Sequence, residues 1–460
     1  MSIYKGKTLT LSIFGTSHGP SVGMTLSGLP TGTVVDIPKL YDFIARRAPG
    51  NSALSTSRKE PDQPEFVSGF VGIQVCEVES AMSASSQSLM TDGAEIKAII
   101  YNKDVQSSDY SKLANTPRPG HADYTAHVKY GGKADSRGGG AFSGRMTAPL
   151  CIAGGICKQL LEDKGIYIKA SIHDIHGNND EPLSEIKKAQ VLRDSVGGTI
   201  SCTISGLPAG YGGPLFEGLE GRIAEALYAI PAVKGVEFGA GFKSANMYGS
   251  ENNDQFYYDE HGIVRTRTNN CGGILGGISD GMDIEFHVAV KPTPSIARPQ
   301  HTIVYDSTEE TEIEIHGRHD PCIVPRAVPC VEAAAALVIA DIVLTGDSEA
   351  RNSAELLELE TMDPLTSHNK ELADISSLRA SIDELDGQLL QLIEKRLRIA
   401  ESVAAYKIEN KLEIVDSTRE SALLDRVRSL SSDDLAELNE DIYRAIISAS
   451  CKYQDKIINN

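Results

Sequence analysis

The stretch DIEFHVAV, residues 283–290, alternates apolar and polar side chains with a period of two. That pattern fits an extended strand with one face buried and the other wet. The run TLTLSIF, residues 8–14, repeats it near the N-terminus. Stretches with helical spacing lie between such runs, over 38–47, 148–163, 218–230 and 328–344. Strands and helices do not alternate regularly, which predicts mixed α+β rather than a doubly wound parallel sheet. GGILGG at 272–277 lacks the spacing and context of a dinucleotide fingerprint, and no GxxxxGK[ST] loop occurs.

A change of composition divides the chain. Gly387 is the only glycine after residue 370, and Pro364 is the last of 20 prolines. A Gly/Pro-punctuated region thus gives way to one with the composition of long helices. The expected organisation is a domain over 1–362, a linker over 363–371 and a helical domain over 372–460. Forty-four basic against 63 acidic residues give a net charge of −19. That excess argues against nucleic acid or an anionic membrane as the main partner. No run reaches the roughly 18 consecutive apolar residues of a membrane helix, and the N-terminus lacks the pattern of a signal peptide. The eight cysteines form no CxxC pair, so neither a disulfide framework nor a structural zinc site is expected. HDIH (173–176) and HGRH (316–319) are too sparse to predict a metal. A cytoplasmic enzyme is the expectation.

Five loops concentrate the chemistry. FGTSHG (14–19) places Ser17 and His18 in a tight turn. RPGHAD (118–123) puts His121 and Asp123 beside Arg118. SRGGGAFSGR (136–145) sets Arg137, Ser143 and Arg145 around a triple glycine. GRHDPCIVPRAVP (317–329) holds Arg318, His319, Asp320 and Arg326, and KPTPS (291–295) follows a strand. Glycine lets backbone N–H groups approach an oxyanion, and arginine offers fork-shaped donors to phosphate or carboxylate. Two histidines on separate loops suit proton transfer near neutrality. Each feature alone also has a structural explanation, and together they reach only an enzyme that handles an anionic small molecule.

In their order, these loops resemble the chorismate synthase family over nearly all of residues 1–360. The matching stretches are GTSHG, RRAPGNS, RKEPD (58–62), RPGHADYT, KYGGKADSRGGG, KGVEFGAGF (234–242), NNCGGILGGISDG, KPTPSIA and GRHDPCIVPRAVP. The resemblance implies a sandwich of antiparallel sheets flanked by helices, a homotetramer, and conversion of 5-enolpyruvylshikimate 3-phosphate to chorismate and phosphate. It implies reduced FMN as cofactor, with NADPH one possible reductant, and a 1,4-anti elimination without net redox change. By motif, His18 would protonate the leaving phosphate, His121 would bear on the flavin's protonation, and Asp320 would sit near flavin N5. Arg47, Arg118 and Arg145 would hold the substrate. Lys291, Thr293, Ser295 and Arg318 would contact the flavin, with Ser143, Asn269 and Gly276 nearby. The chain departs from the family pattern at Thr16, Ala53, Ala141, Met146 and Pro294, where Glu, Arg, Arg, Glu and Ser are usual.

In the tail, apolar residues fall at 382, 385, 389, 392, 399 and 403, and Arg396 takes the missing place in that stripe. Lys407 lies about three turns further along nearly the same face. Ile442, Ile446, Ser450 and Gln454 form an i,i+4 row ending in polar residues, and Ser417 with Glu420 has capping-box spacing. The pattern alone fits an oligomerisation hairpin or an anion-binding helical bundle. LRASIDELDGQLLQLIEKRLRIAESVAAYK, VDSTRE and IISASCKYQ are similar to the all-helical class of chorismate mutase over roughly 372–456. That resemblance implies a three-helix, interlocked dimer that rearranges chorismate to prephenate without covalent catalysis. Arg379 (from the other chain), Arg396 and Arg419 would grip the carboxylates, Lys407 and Gln454 would face the ether oxygen, and Glu420 would accept from the hydroxyl. Asp416 and Ser450 complete the set. The alternative is a chorismate-sensing or purely dimerising tail.

Overall fold

The computed structural model describes residues 2–50, 62–72, 88–102, 115–133, 135, 137–315, 320–361, part of 379–407, 417–431 and 435–458. Ala53, Arg318, His319, Asp416 and the expected linker 363–371 lie outside the described residues. The chain divides into two compact units, Met1–Glu358 and Leu359–Asn460.

Among the described residues, the first unit holds two larger antiparallel sheets and four two-stranded ones. Of the larger two, one runs in the order Ser2–Lys5, Thr10–Gly15, Ser21–Ser27, Ile96–Tyr101 and Glu65–Ser68. The other runs Val233–Phe238, Ile284–Val290, Gly198–Ser205 and Tyr167–Ile175. The 283–290 alternation is realised in Ile284–Val290, where Ile284, Phe286, Val288 and Val290 are buried. Its register joins Ala170, Cys202, Phe286 and Phe238 into one row across the second sheet.

Ile37–Ala45 and Leu219–Tyr228 are amphipathic helices close to their expected spans. Two further helices depart from the expected outer position. Thr147–Glu162 is buried almost throughout and touches strands of both sheets, so it lies inside the sandwich. A Cβ on its Gly154 would stand 2.3 Å from Ala333 Cα, so small residues let the two helix backbones meet. The second of them, Val324–Thr361, outruns the expected 328–344 at both ends. Within its part Val324–Gly346 an 18-residue stretch has a mean hydropathy of 2.1, apolar enough to cross a membrane, yet that stretch is wholly buried in this unit. The two carboxylates that interrupt it are paired. Glu332 accepts from both Arg46 terminal nitrogens at 2.9 Å and from Ala170 N at 3.0 Å. Asp341 accepts from the backbone N–H groups of Lys7, Thr8 and Leu9 and from Arg222.

The second unit is helical: segments between 379 and 407, then Ser417–Leu430 and Ala436–Ile458. The described members of the apolar stripe do not mark its buried side. Ile382, Leu389, Ile399 and Val403 are exposed, whereas Ala400 and Ala404 are buried. Arg396 and Lys407, both half-buried, share the alanine face.

Candidate active sites

In the first unit, segments far apart in sequence meet at the loops. The triple glycine adopts positive φ at Gly138, Gly139 and Gly140, a region open to glycine at little cost. A Cβ on Gly138 would lie 1.9 Å from His18 Cε1, and one on Gly139 would lie 3.1 Å from His121 Nε2. The two histidines therefore flank one turn that only glycine fits. Gly140 O accepts from Ser17 N at 3.3 Å, and Ser17 Oγ is 3.1 Å from His18 Nδ1.

Arginines form the adjoining wall. Arg47, Arg145 and Asp62 are buried, and both guanidinium groups donate to the one carboxylate. Burial alone would raise the Asp62 pKa, but Arg47 and Arg145 outweigh it and hold the carboxyl below its usual range. Arg47 also donates to Thr147 Oγ1 at 3.1 Å and Gly144 O at 3.0 Å. Arg145 Nε donates to Asn102 Oδ1 at 3.1 Å. Asn102 Nδ2 in turn donates to Thr16 O and Gly19 O, closing the network back onto the His18 loop. Residue 16 thus serves this network through its backbone carbonyl, which threonine supplies as well as glutamate. Arg326 bridges Asp320 and Arg47 O.

The segment 291–295 docks on the same ring through alternate residues. Lys291 Nζ donates to Gly120 O at 2.5 Å, Thr293 Oγ1 to Asp320 O at 2.9 Å, and Arg118 Nη1 to Ser295 Oγ at 3.4 Å. Burial, then Lys234, lowers the Lys291 pKa. Ser143 Oγ accepts from Arg145 N. Asn269 and Gly276 sit on separate turns: Asn269 Nδ2 donates to Asp283 O at 2.9 Å, and Gly276 has a φ of +62° in the Ile274–Ser279 hairpin. His18, His121, Arg47, Arg118, Arg145, Asp320, Lys291, Thr293 and Ser295 are thus drawn together, with Arg318 outside the described residues. Asp62 and Asn102 are the members the sequence reading missed. The surplus of arginine in these loops signals a missing counter-ion, and RKEPD contains it.

In the second unit, Arg396 donates to Ser450 Oγ, which donates to Ile446 O at 2.9 Å. Cys451 Sγ lies 3.8 Å from Glu420 Oε1, with Lys407 close enough to act on the same thiol. Gln454 is buried, and its Oε1 has no hydrogen-bond partner among the described residues. Gln454 lies one turn beyond Ser450 on the helix Ala436–Ile458, and a buried orphan acceptor suits a polar ligand. Arg379 and Arg419 are exposed.

Comparison with known proteins covers both units. The family model described as Chorismate synthase matches residues 9–344, and that described as Chorismate mutase type II matches 378–455. Chorismate synthase from Thermococcus gammatolerans is 43% identical over 364 residues, covering 74% of this chain and 97% of that protein. Chorismate synthase from Methanocaldococcus jannaschii is 42% identical over 380 residues, covering 74% and 96%. A solved chorismate synthase structure matches with a TM-score of 0.54 at 23% identity, covering 74% of this chain and 93% of that one, a likeness of fold. The chain belongs to the chorismate synthase family, and a type II chorismate mutase domain follows its synthase domain.

Proposed function

We propose that the first unit releases phosphate from 5-enolpyruvylshikimate 3-phosphate to give chorismate, and that the second rearranges chorismate to prephenate, with 363–371 as the linker. The observation that carries the synthase reading is the meeting of His18 and His121 on one triple-glycine turn beside Arg47, Arg118 and Arg145. A trianionic substrate needs such local cations inside an acidic protein. His18 protonates the leaving phosphate, and the arginines hold the substrate's charges. His121 and Asp320 hold the protons that move near the cofactor. Lys291, Thr293, Ser295 and Arg318 hold reduced FMN, with Ser143, Asn269 and Gly276 beside it. The lysine and hydroxyl groups suit a phosphorylated flavin, and Gly276 opens onto space, with nothing within 4 Å of a would-be Cβ. When bound, reduced FMN supplies the electron density for a 1,4-anti elimination. NADPH is the candidate reductant.

In the second unit, Arg396, Arg419 and a partner's residue equivalent to Arg379 fix the two carboxylates. Lys407 and Gln454 face the ether oxygen, Glu420 accepts from the hydroxyl, and Asp416 and Ser450 complete the pocket. Holding the reactive conformer and stabilising developing charge suffice for this pericyclic step. The exposed apolar stripe supports dimerising tails on a tetrameric synthase core. We place this homo-oligomer in the cytoplasm.

A crossed pair of variants tests both sites. His18→Ala is expected to slow phosphate release by about 10²–10⁴-fold, leaving prephenate formation from added chorismate intact. Arg396→Ala should do the reverse, at about 10²–10³-fold, with an unchanged oligomer by light scattering. Loss of assembly in Arg396→Ala would favour the purely dimerising tail. Full phosphate release in His18→Ala would overturn the acid assignment.

A further inference from the structure

We propose that Asp123 is a positioning residue of the synthase site that sets the tautomer of His121; this rests on the reading of His121 as a proton-handling group. Asp123 opens the helix Asp123–Tyr130 and is mostly shielded from solvent. Its two oxygens do different work. Oδ2 accepts from Arg118 N at 3.1 Å and Arg118 Nε at 2.7 Å, which closes the 118–123 turn. Oδ1 accepts from Arg118 Nη2 at 2.8 Å and lies 2.6 Å from His121 Nδ1. Turn closure alone would need only the first oxygen. Burial works to raise the Asp123 pKa, but hydrogen bonds from Arg118 and His121 keep the carboxyl well below its usual range.

A carboxylate at 2.6 Å requires the imidazole proton on Nδ1. Arg118 Nη2, 3.0 Å from the same nitrogen, cannot donate to it once that proton is in place. It is instead held against the ring by its own bond to Asp123. Nε2 is then the acceptor of the neutral ring; the same Arg118 Nη2 lies 3.4 Å from it, and it sits on the Gly139 side of the triple glycine. Asp123 thereby aims one defined nitrogen of His121 at the turn shared with His18. It also fixes Arg118, which reaches Ser295 at 3.4 Å.

The experiment uses the full chain labelled with 15N-histidine, with His121→Ala to assign the resonance. Wild type is expected to show a protonated Nδ1 and an unprotonated Nε2 on His121. Asp123→Asn, which keeps the shape but turns a shared acceptor partly into a donor, is expected to give a mixture of tautomers. Its kcat for phosphate release under anaerobic conditions should fall at least tenfold, with KM within about threefold. Asp123→Glu retains a carboxylate and should keep the wild-type tautomer, which covers the case where the asparagine variant folds poorly. An unchanged His121 spectrum in folded Asp123→Asn, or a mixed tautomer in folded Asp123→Glu, overturns the proposal whatever the rate. Full activity in His121→Ala would instead remove the proton-handling reading of His121, while a tautomer change would still assign Asp123 as its anchor.

Discussion

Asp62→Ala is expected to destabilise the synthase unit by about 3–5 kcal/mol, because it strands two buried guanidinium groups on a carboxylate that is gone. Among the described residues, Arg47 would keep Thr147 Oγ1 and Gly144 O, and Arg145 would keep Asn102 Oδ1. Those neutral acceptors cannot compensate charge of which water sees almost nothing. The pair would also repel each other across the space left behind. Urea unfolding followed by tyrosine fluorescence would read the loss as a lower midpoint. The variant should change the acid limb as well. Arg47 and Arg145 depress the Asp62 pKa in the folded state, so its stabilisation is fully present above the unfolded aspartate value of about 3.9. It is lost as pH falls from there through the folded value. Asp62→Ala should therefore lose less stability than wild type over that acidic window. A variant as stable as wild type at pH 7 would show that the two arginines do not depend on this carboxylate.

Gly138→Ala should cost the synthase activity about as much as losing the His18 side chain, roughly 10²–10⁴-fold in phosphate release. The new methyl would stand 1.9 Å from His18 Cε1 and 2.3 Å from Nδ1, a clash only displacement of the imidazole relieves. The residue's φ of +58° adds about 1–2 kcal/mol of backbone cost for alanine. Gly131→Ala isolates that second contribution: Gly131 has a φ of +57°, with nothing within 4 Å of its would-be Cβ. Gly131→Ala is expected to lose a little stability and keep its turnover, while Gly138→Ala loses turnover. Equal effects in the two would mean that backbone strain, and not contact with His18, explains the glycine. Prephenate formation from added chorismate, measured on the same preparations, should be unchanged in both.

The individual parts of the synthase site were legible because each sits in a short loop with its own signature. His18, His121 and the triple glycine could each be picked out from local residue types. Their contact could not, since it joins positions more than a hundred residues apart through a turn whose backbone no periodicity describes. Asp62 and Asn102 escaped for a related reason. A lone carboxylate and a lone amide carry no pattern, and their meaning comes only from the arginines and carbonyls they bridge. The sheets followed from alternation in Thr10–Gly15 and Ile284–Val290. The interior placement of Thr147–Glu162 and Val324–Gly346 did not, because a helix apolar all round reads the same whether layered in the middle of a sandwich or set in a membrane. In the tail the helical period holds, but the described members of its apolar stripe, Ile382, Leu389, Ile399 and Val403, face outward. The inward side is built from Ala400, Ala404, Arg396 and Lys407, small residues and cations that a hydrophobicity pattern passes over.

A chorismate synthase and a chorismate mutase lie on one chain, so the product of the first domain is the substrate of the second. The most direct measurement is anaerobic. The purified full chain is given 5-enolpyruvylshikimate 3-phosphate and chemically reduced FMN, and phosphate, chorismate and prephenate are quantified over time. The predicted result is prephenate accumulating with an equal amount of phosphate while chorismate passes through only transiently. Chorismate accumulating without prephenate would contradict the mutase half, and the absence of phosphate would contradict the synthase on which everything else depends.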